Sequence, residues 1–363
     1  MRPLVRRSLW ENVDGHIAGR KSDILTTMKQ MEIPFEPNRP VRVRALTVGR
    51  YPIHWHDNAI EIVIPLRGEA VVTANFERVA LAPGEFHIVN PRSIHSFRSK
   101  EAGGEALLAL VQIDVRFFEE RFPYLRQMFF RSEPYRDPHR KPQDRPANQS
   151  EDRPASQTQD RFEEDRTRFR NRLIGTLLLA LAPELAGAAA GQQADALVYS
   201  LVYEFNWIQL MFPDGVFADP EQRDRYHRIV RYIDEHYAEK ITLDDVVARE
   251  YVTKTYFSHF WKKISSYSFT ERVNYERVLK SEFLLLEGRS LQEISDACGF
   301  SDIKYYYRHF KRWYGCMPRE HRSRCHAYEA LGEDYVEAEL LHYGALVNEY
   351  AGRFLRTGTG APG

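Results

Sequence analysis

Two groups of residues in this chain have the types and spacing to do chemistry. The first is His54-Trp55-His56, followed by Glu61. Residues two apart on a strand share a face, so His54 and His56 point the same way, whereas Glu61 would face oppositely if that strand ran on. The turn-prone pair Asp57-Asn58 can break the strand and bring Glu61 back to the histidines. Imidazole nitrogen and carboxylate oxygen are donors that divalent metals use, and they can also hydrogen-bond a polar ligand. The second group lies on two C-terminal helical stretches. Lys254, Thr255, Ser258, His259 and Lys262 share the outward face of one, and Ile303, Lys304, Tyr307, Arg308 and Lys311 that of the other. Basic and hydrogen-bonding side chains on an exposed helix suit the phosphates and base edges of a DNA groove.

Different elements must position these two groups. From residue 41 to about 115, short β-branched runs alternate with turn residues, among them Arg67-Gly68 and Pro83-Gly84. Closely spaced short strands of this kind predict a small barrel or sandwich. Residues 131–163 are rich in Pro, Gln, Asp, Arg and Ser, with Asp-Arg-Pro at 144–146 and again at 152–154. Ordering such a segment would cost entropy without burying apolar surface, so a disordered insertion is expected. Residues 164–213 return to helical periodicity, with Leu173, Leu177, Leu178 and Leu181, then Leu197, Leu201, Phe205, Ile208 and Phe212. Apolar faces this wide need a partner surface, either the barrel of the same chain or a second copy.

The C-terminal pattern is more specific. Thr242 can cap a short helix that carries Asp244 and Asp245 in its first turn, and Thr253 can cap the next, with Tyr256, Phe257, Phe260, Trp261 and Ile264 as its inward stripe. Two short helices joined by a tight turn fit a helix-turn-helix. The pattern recurs 48–49 residues later, where Ile294 matches Val246 and Tyr305, Tyr306, Phe310 and Lys311 match Tyr256, Phe257, Trp261 and Lys262. Gly299 supplies the left-handed turn of the second unit and Ser301 is its expected cap. Residues 269–286 between the units read as one long helix that holds both, so that two recognition helices enter grooves about 34 Å apart on B-DNA.

Residues 242–322, with Tyr256-Phe257-Ser258-His259-Phe260-Trp261-Lys262-Lys263, Gly299-Phe300-Ser301, Tyr305-Tyr306-Tyr307-Arg308-His309-Phe310-Lys311 and Met317-Pro318, resemble the C-terminal domain of AraC-family (AraC/XylS) regulators. The resemblance implies base contacts from Thr255, Ser258, His259, Ile303, Lys304, Tyr307 and Arg308, and phosphate contacts from Lys254, Lys262 and Lys311. Its implied partners are double-stranded promoter DNA, a small-molecule effector, a second copy in a homodimer and, for an activator, RNA polymerase. Ser266, where the family usually has Gly, and His321, where it has an aromatic, depart from the pattern.

The N-terminal residues His54, His56, Glu61 and Gly68, with Pro91 and His95 later, resemble the two motifs of the cupin fold, which AraC-family sensors commonly use. Three readings stay open for His54, His56, Glu61 and His95. They hold a divalent metal, they bind an organic effector such as a sugar without any cofactor, or the histidines are structural. His87 is a weaker candidate for the pocket. The rival function is a metal-dependent cupin oxygenase or isomerase fused to a DNA-binding domain. No phosphate loop or nucleophile elbow supports an enzyme.

The expected class is therefore α+β and multidomain. A cupin-like sensor occupies residues 1–130, with its barrel at about 41–115, followed by the insertion at 131–163 and the helical dimerisation or packing segment at 164–213. An all-α domain with two helix-turn-helix motifs joined by a linker helix spans 222–322, and a helical extension and tail, expected to pack on that domain, spans 323–363. Lys plus Arg equals Asp plus Glu at 51 each, but residues 222–322 carry 19 against 15, a mild basic excess where DNA would bind. Cys298, Cys316 and Cys325 lack CxxC spacing, so a reducing cytoplasm is expected rather than a disulfide framework. The basic start at residues 1–7 has no apolar run behind it, and Pro183 and Glu184 interrupt the most apolar stretch, so neither a signal peptide nor a membrane span is expected.

Overall fold

Strand β9 (Ala106–Asp114) is buried on both faces, and the reason is its place between two hydrophobic layers. Ala106, Leu108 and Leu110 point into the barrel beside Leu46, Val48, Val63, Val72, Val89 and Phe97. The alternate residues Leu107, Ala109, Val111 and Ile113 point outward with Ile60, Ile62 and Ile64. There they meet Phe169, Leu173, Ile174 and Leu177 of helix α1 (Ala155–Leu181). Each buried Val, Leu, Ile or Phe side chain among them contributes roughly 1.5–3 kcal/mol. The computed structural model describes residues 29–37, 39–74, 77–119, 155–181, 220–264 and 268–354.

Around β9 the sheet closes almost completely. It is antiparallel to β2 (Val41–Arg50) on one side and to β4 (Ala59–Arg67) on the other, and β4 pairs with β7 (His87–Val89). The other wall runs from β6 (Glu77–Leu81) to β5 (Ala70–Ala74) and β8 (His95–Ser99). From β8 the path reaches the short strand β3 (His54–Trp55), which adds β1 (Lys29–Gln30) in parallel. A single bridge, Arg50 to Arg98, joins β2 to β8.

Helix α1 begins at Ala155, so residues 155–163 are helical, contrary to the expected disorder. Ala, Gln, Glu and Arg dominate this stretch and are strong helix formers, so the helix extends beyond its apolar face. The rest of the expected insertion and the second half of the 164–213 segment, including Leu197, Leu201, Phe205, Ile208 and Phe212, lie outside the described residues.

The C-terminal helices are α2 (Pro220–His236), α3 (Leu243–Arg249), α4 (Lys254–Ile264), α5 (Phe269–Leu286), α6 (Leu291–Ala297), α7 (Ile303–Tyr314) and α8 (Pro318–Glu329). Capping boxes start three of them, through Thr242 with Asp245, Ser268 with Glu271 and Ser290 with Glu293. The cap of α7 is Asp302, whose side chain accepts from the Tyr305 N–H, and not Ser301. A carboxylate one residue nearer the helix accepts that bond and is favoured by the helix dipole. Tyr256 is 41% exposed rather than inward. At 100° per residue it lies at the edge of the stripe centred on Phe257 and Phe260, and its hydroxyl accepts from Arg225.

The first half of α5, through Phe269 and Val273, packs with Phe257, Phe260 and Trp261. Its second half, through Val278 and Leu285, packs with Ile294, Phe300, Tyr306 and Phe310. Cys298 sits in this second core, where burial pushes its thiol up to about 12, consistent with a small core filler.

The expected placement of the extension against the DNA-binding domain needs correction. After α8 the chain forms strand β10 (Asp334–Ala338), which pairs antiparallel with β2 of the barrel. Helix α9 (Gly344–Phe354) then packs on α1. The physical reason is an open strand edge, since β2 meets β8 at one position and offers backbone groups that β10 satisfies.

Gly299 adopts φ +72°, and a Cβ there would lie 2.2 Å from the Ala238 carbonyl oxygen. Gly299→Ala should therefore cost more than about 1 kcal/mol in urea unfolding, the left-handed penalty plus the clash. His321 donates to Glu282 at 2.7 Å. Burial opposes its charge, but Cys325 and Glu282 outweigh burial and raise its pKa to about 10. This stabilisation is present in full below pH 6.5, the unfolded value, and is lost as pH rises toward 10. His321→Gln should cost on the order of 2 kcal/mol at pH 6 and distinctly less at pH 9 in the same assay.

Candidate functional site

The structure brings His54, His56, Glu61 and His95 together inside the barrel, each at most 1% exposed. One donor atom from each lies within 4.8 Å of the others. The backbone explains the convergence. Strand β3 ends after Trp55 and β4 starts at Ala59, so the break at 56–58 resets the alternation and Glu61 joins Val63 on the inner face. Asn58 fixes the break, since its side chain donates to the Ile33 carbonyl and accepts from the Ile33 N–H. His95 is the cross-strand partner of His54, with ring centroids 4.0 Å apart.

Hydrogen bonds orient the donors. Nδ1 of His54 faces the Pro52 carbonyl at 3.0 Å, and Nδ1 of His95 faces the Ser93 carbonyl at 2.8 Å. A carbonyl partner requires the proton on Nδ1, which leaves each Nε2 lone pair free. Gln112 donates to Oε2 of Glu61 at 2.5 Å, leaving Oε1 available. Among the buried polar atoms without a hydrogen bond are Oε1 of Glu61, Nε2 of His95 and both ring nitrogens of His56. Such atoms cost free energy unless a ligand satisfies them.

Charge states suit a cation. Burial, then the neighbouring imidazoles, pushes His56 down to about 4 and His54 well below its ordinary value. Burial would raise Glu61, but the three histidines more than offset it and hold the carboxyl far below its usual range. Burial thus favours the neutral rings of His54 and His56, and Glu61 is held as a carboxylate, the forms in which these groups ligate metal. Donors this close converge on a space the size of one ion, so the residues fit a divalent transition metal. His87 is buried and lowered to about 4, chiefly by burial and then by His95, but it is not one of the four converging groups. Gln112 was not anticipated. Its signal is a lone polar side chain inside the apolar run Leu107–Ile113.

The two recognition helices carry the other expected residues. Lys254, Thr255, Ser258, His259 and Lys262 on α4 are exposed, as are Lys304, Arg308 and Lys311 on α7. Ile303 and Tyr307 are half-buried at the edge of the α7 face, packed against the second core. The Arg308 guanidinium lies 4.5 Å from the Tyr305 ring centroid, which pre-sets its direction. Lys254 meets Asp244 at 2.6 Å in an exposed surface pair, the kind that contributes little to stability.

The structure joins a nearly closed barrel holding a buried donor cluster to two helix-turn-helix units. Comparison with known proteins agrees. A cupin domain matches residues 46–111 and a helix-turn-helix domain matches residues 246–324. The chain is 35% identical over 160 residues to the uncharacterized HTH-type transcriptional regulator YijO of Escherichia coli (strain K12), covering 44% of this chain and 56% of that protein. It is 28% identical over 129 residues to the uncharacterized HTH-type transcriptional regulator YpdC of the same organism, covering 35% and 45%. The chain thus spans about half the length of these curated relatives. The crystal structure of ToxT from Vibrio cholerae O395 aligns over 78% of this chain and 97% of that one, at 11% identity and TM-score 0.37. The chain thus joins a cupin domain at residues 46–111 to a helix-turn-helix domain at residues 246–324, and both of these relatives are named as HTH-type transcriptional regulators. Among the described residues, no helix is long and apolar enough to cross a membrane.

Zinc titrated against a chromophoric chelator should occupy the site formed by His54, His56, Glu61 and His95. Gln112→Leu should weaken that site about 10–100-fold by releasing Glu61, and His56→Ala should weaken it further by deleting a donor.

Proposed function

We propose that this chain is a sequence-specific DNA-binding transcription regulator, controlled by a small effector held in the barrel by His54, His56, Glu61 and His95. The observation that carries the reading is the pair of exposed polar faces on α4 and α7, built on cores that share the single helix α5. Each face combines hydrogen-bonding side chains able to read base edges with lysines placed for phosphates. In this reading Thr255, Ser258, His259, Ile303, Lys304, Tyr307 and Arg308 contact or approach bases, and Lys254, Lys262 and Lys311 contact the backbone. The effector class that the donor set suits is a divalent transition metal, because one donor atom from each of the four residues lies within 4.8 Å of the others. Bound there, a metal would supply positive charge that draws the three imidazoles and the carboxylate together.

The competing reading is a metal-dependent oxygenase or isomerase, and the same buried cluster favours it. Stoichiometric metal together with product formation in a substrate screen would select it. The regulator reading is supported by the helix-turn-helix match and by the names of the relatives.

Selection from a random duplex library with the whole chain should enrich one sequence. A chain that folds but enriches nothing would sink the regulator reading. On the enriched site Arg308→Ala should cost about 1–3 kcal/mol and relax one base position, whereas Lys311→Ala should weaken all sequences alike and reduce the salt dependence. Fluorescence anisotropy at several salt concentrations separates the two effects.

A further inference from the structure

The strands that carry the donor cluster have a second face. His54, His56 and His95 point into the barrel, while the residues alternating with them, Ile53, Trp55 and Ile94, point out. The outward set packs on the C-terminal end of α5. Ile53 and Ile94 form one cluster with Phe283 and Leu286, and the Trp55 ring stands edge-on to Phe283 with centroids 5.2 Å apart. Beside this apolar contact lies a chain of charges. Arg92, in the turn before β8, donates its backbone N–H to the His56 carbonyl at 2.7 Å. Its guanidinium reaches Asp57 at 3.5 Å and Asp234 of α2 at 3.2 Å. The other oxygen of Asp234 receives Lys280 of α5 at 2.8 Å, and Lys280 also faces Glu276 at 3.5 Å.

Arg92 adopts φ +59°, a left-handed conformation that a non-glycine side chain occupies only when its surroundings hold it there. Arg92, Asp234 and Lys280 are 15%, 19% and 9% exposed at the side chain, so solvent screens the chain of charges only weakly. Lys280 stands on α5 where the packing of the first helix-turn-helix unit gives way to that of the second. The geometry points to a coupling joint: the two-faced pair β3 and β8, acting through Trp55–Phe283 and Arg92–Asp234–Lys280, transmits occupation of the donor cluster to α5 and so to the relative seating of the two recognition helices.

The physical basis is that a strand cannot shift its inward side chains without shifting its outward ones. A cation drawing His54, His56 and His95 together moves the backbone on which Trp55 and Arg92 are mounted. Asp234 is shared between the barrel and α5, so moving Arg92 changes the balance of charge around Lys280. For this to regulate, the effector must bind the two seatings unequally. This inference rests on the reading of the chain as an effector-controlled DNA binder, and it assigns to that control a specific route.

The test uses the whole chain, the duplex enriched by selection, and zinc alone as the probe. Anisotropy gives the DNA Kd without zinc and with the barrel saturated, and calorimetry gives the zinc Kd without DNA. In the unaltered chain the two DNA Kd values should differ by about 5-fold or more, within the usual range of allosteric coupling. Asp234→Asn should keep the zinc Kd within about 3-fold and still prefer the selected duplex, yet its response to zinc should fall below about 2-fold. Phe283→Leu, which trims the apolar contact and leaves the charges in place, should also reduce the response, and it serves if Asp234→Asn does not fold. His56→Ala, the control for zinc acting elsewhere, should show none. A full response in Asp234→Asn or, if that variant does not fold, in Phe283→Leu overturns the inference, as does an unaltered chain that binds zinc and DNA with no mutual effect. Failure of the unaltered chain to bind zinc defeats the metal reading of the pocket, and failure to prefer any duplex defeats the regulator reading; either takes this inference with it.

Discussion

An α-helix has one rigid axis, and in this molecule a single helix of 18 residues carries three bodies on that axis. The N-terminal half of α5 is core for the first helix-turn-helix unit, the C-terminal half is core for the second, and Phe283 and Leu286 on its last turns meet the barrel. Anchors hold the axis at both ends. A capping box starts the helix at Ser268, Arg277 at its middle donates to the Tyr237 and Glu239 carbonyls, and Arg322 donates to the Leu285 carbonyl in its last turn and to the Arg289 carbonyl beyond its end. Such a helix cannot turn for one of its neighbours without turning for all of them.

The donor cluster obeys a different constraint. Its groups stay near one another because the strands around them are packed on both sides, so neither the inner nor the outer layer can relax independently. Fixed backbone carbonyls at Pro52 and Ser93 and the Gln112 amide set ring and carboxylate directions before any ligand arrives. The unsatisfied atoms of His56, Glu61 and His95 give a cation a reason to enter, and any shift it imposes on the inner side chains is passed to the outer layer.

Much of this arrangement was legible in the residues. Periodicity located α5, the two short helix pairs and the left-handed Gly299, because these depend on local rules of spacing, capping and backbone freedom. The Asp57-Asn58 break and the convergence of Glu61 on the histidines were readable for the same reason. What escaped depends on distant partners. Gln112 matters because register sets it opposite Glu61, and Tyr256 lies at the edge of its helix's stripe, where the packing of Phe257, Phe260 and Trp261 on α5 leaves it exposed. The strand at Asp334–Ala338 reads as part of a helical pattern, with Tyr335 and Ala338 spaced by three; only the open edge of β2 makes it a strand. Residue 92 could not be singled out either, since its meaning lies in an aspartate 142 positions later.

The barrel is assembled from both ends of the described chain. Arg44 on β2 bonds Glu337 on β10 across 293 positions of sequence, with the entire DNA-binding domain encoded between them. While the chain is being synthesised, β2 must therefore wait with one edge unpaired until residues 334–338 have left the ribosome. An exposed strand edge is an invitation to pair with another nascent molecule, and a contact this distant in sequence forms slowly. The helix-turn-helix units, whose contacts are mostly local, are thus free to fold before the barrel closes, so a newly made molecule passes through a stage in which its helical domain is formed and its barrel is not.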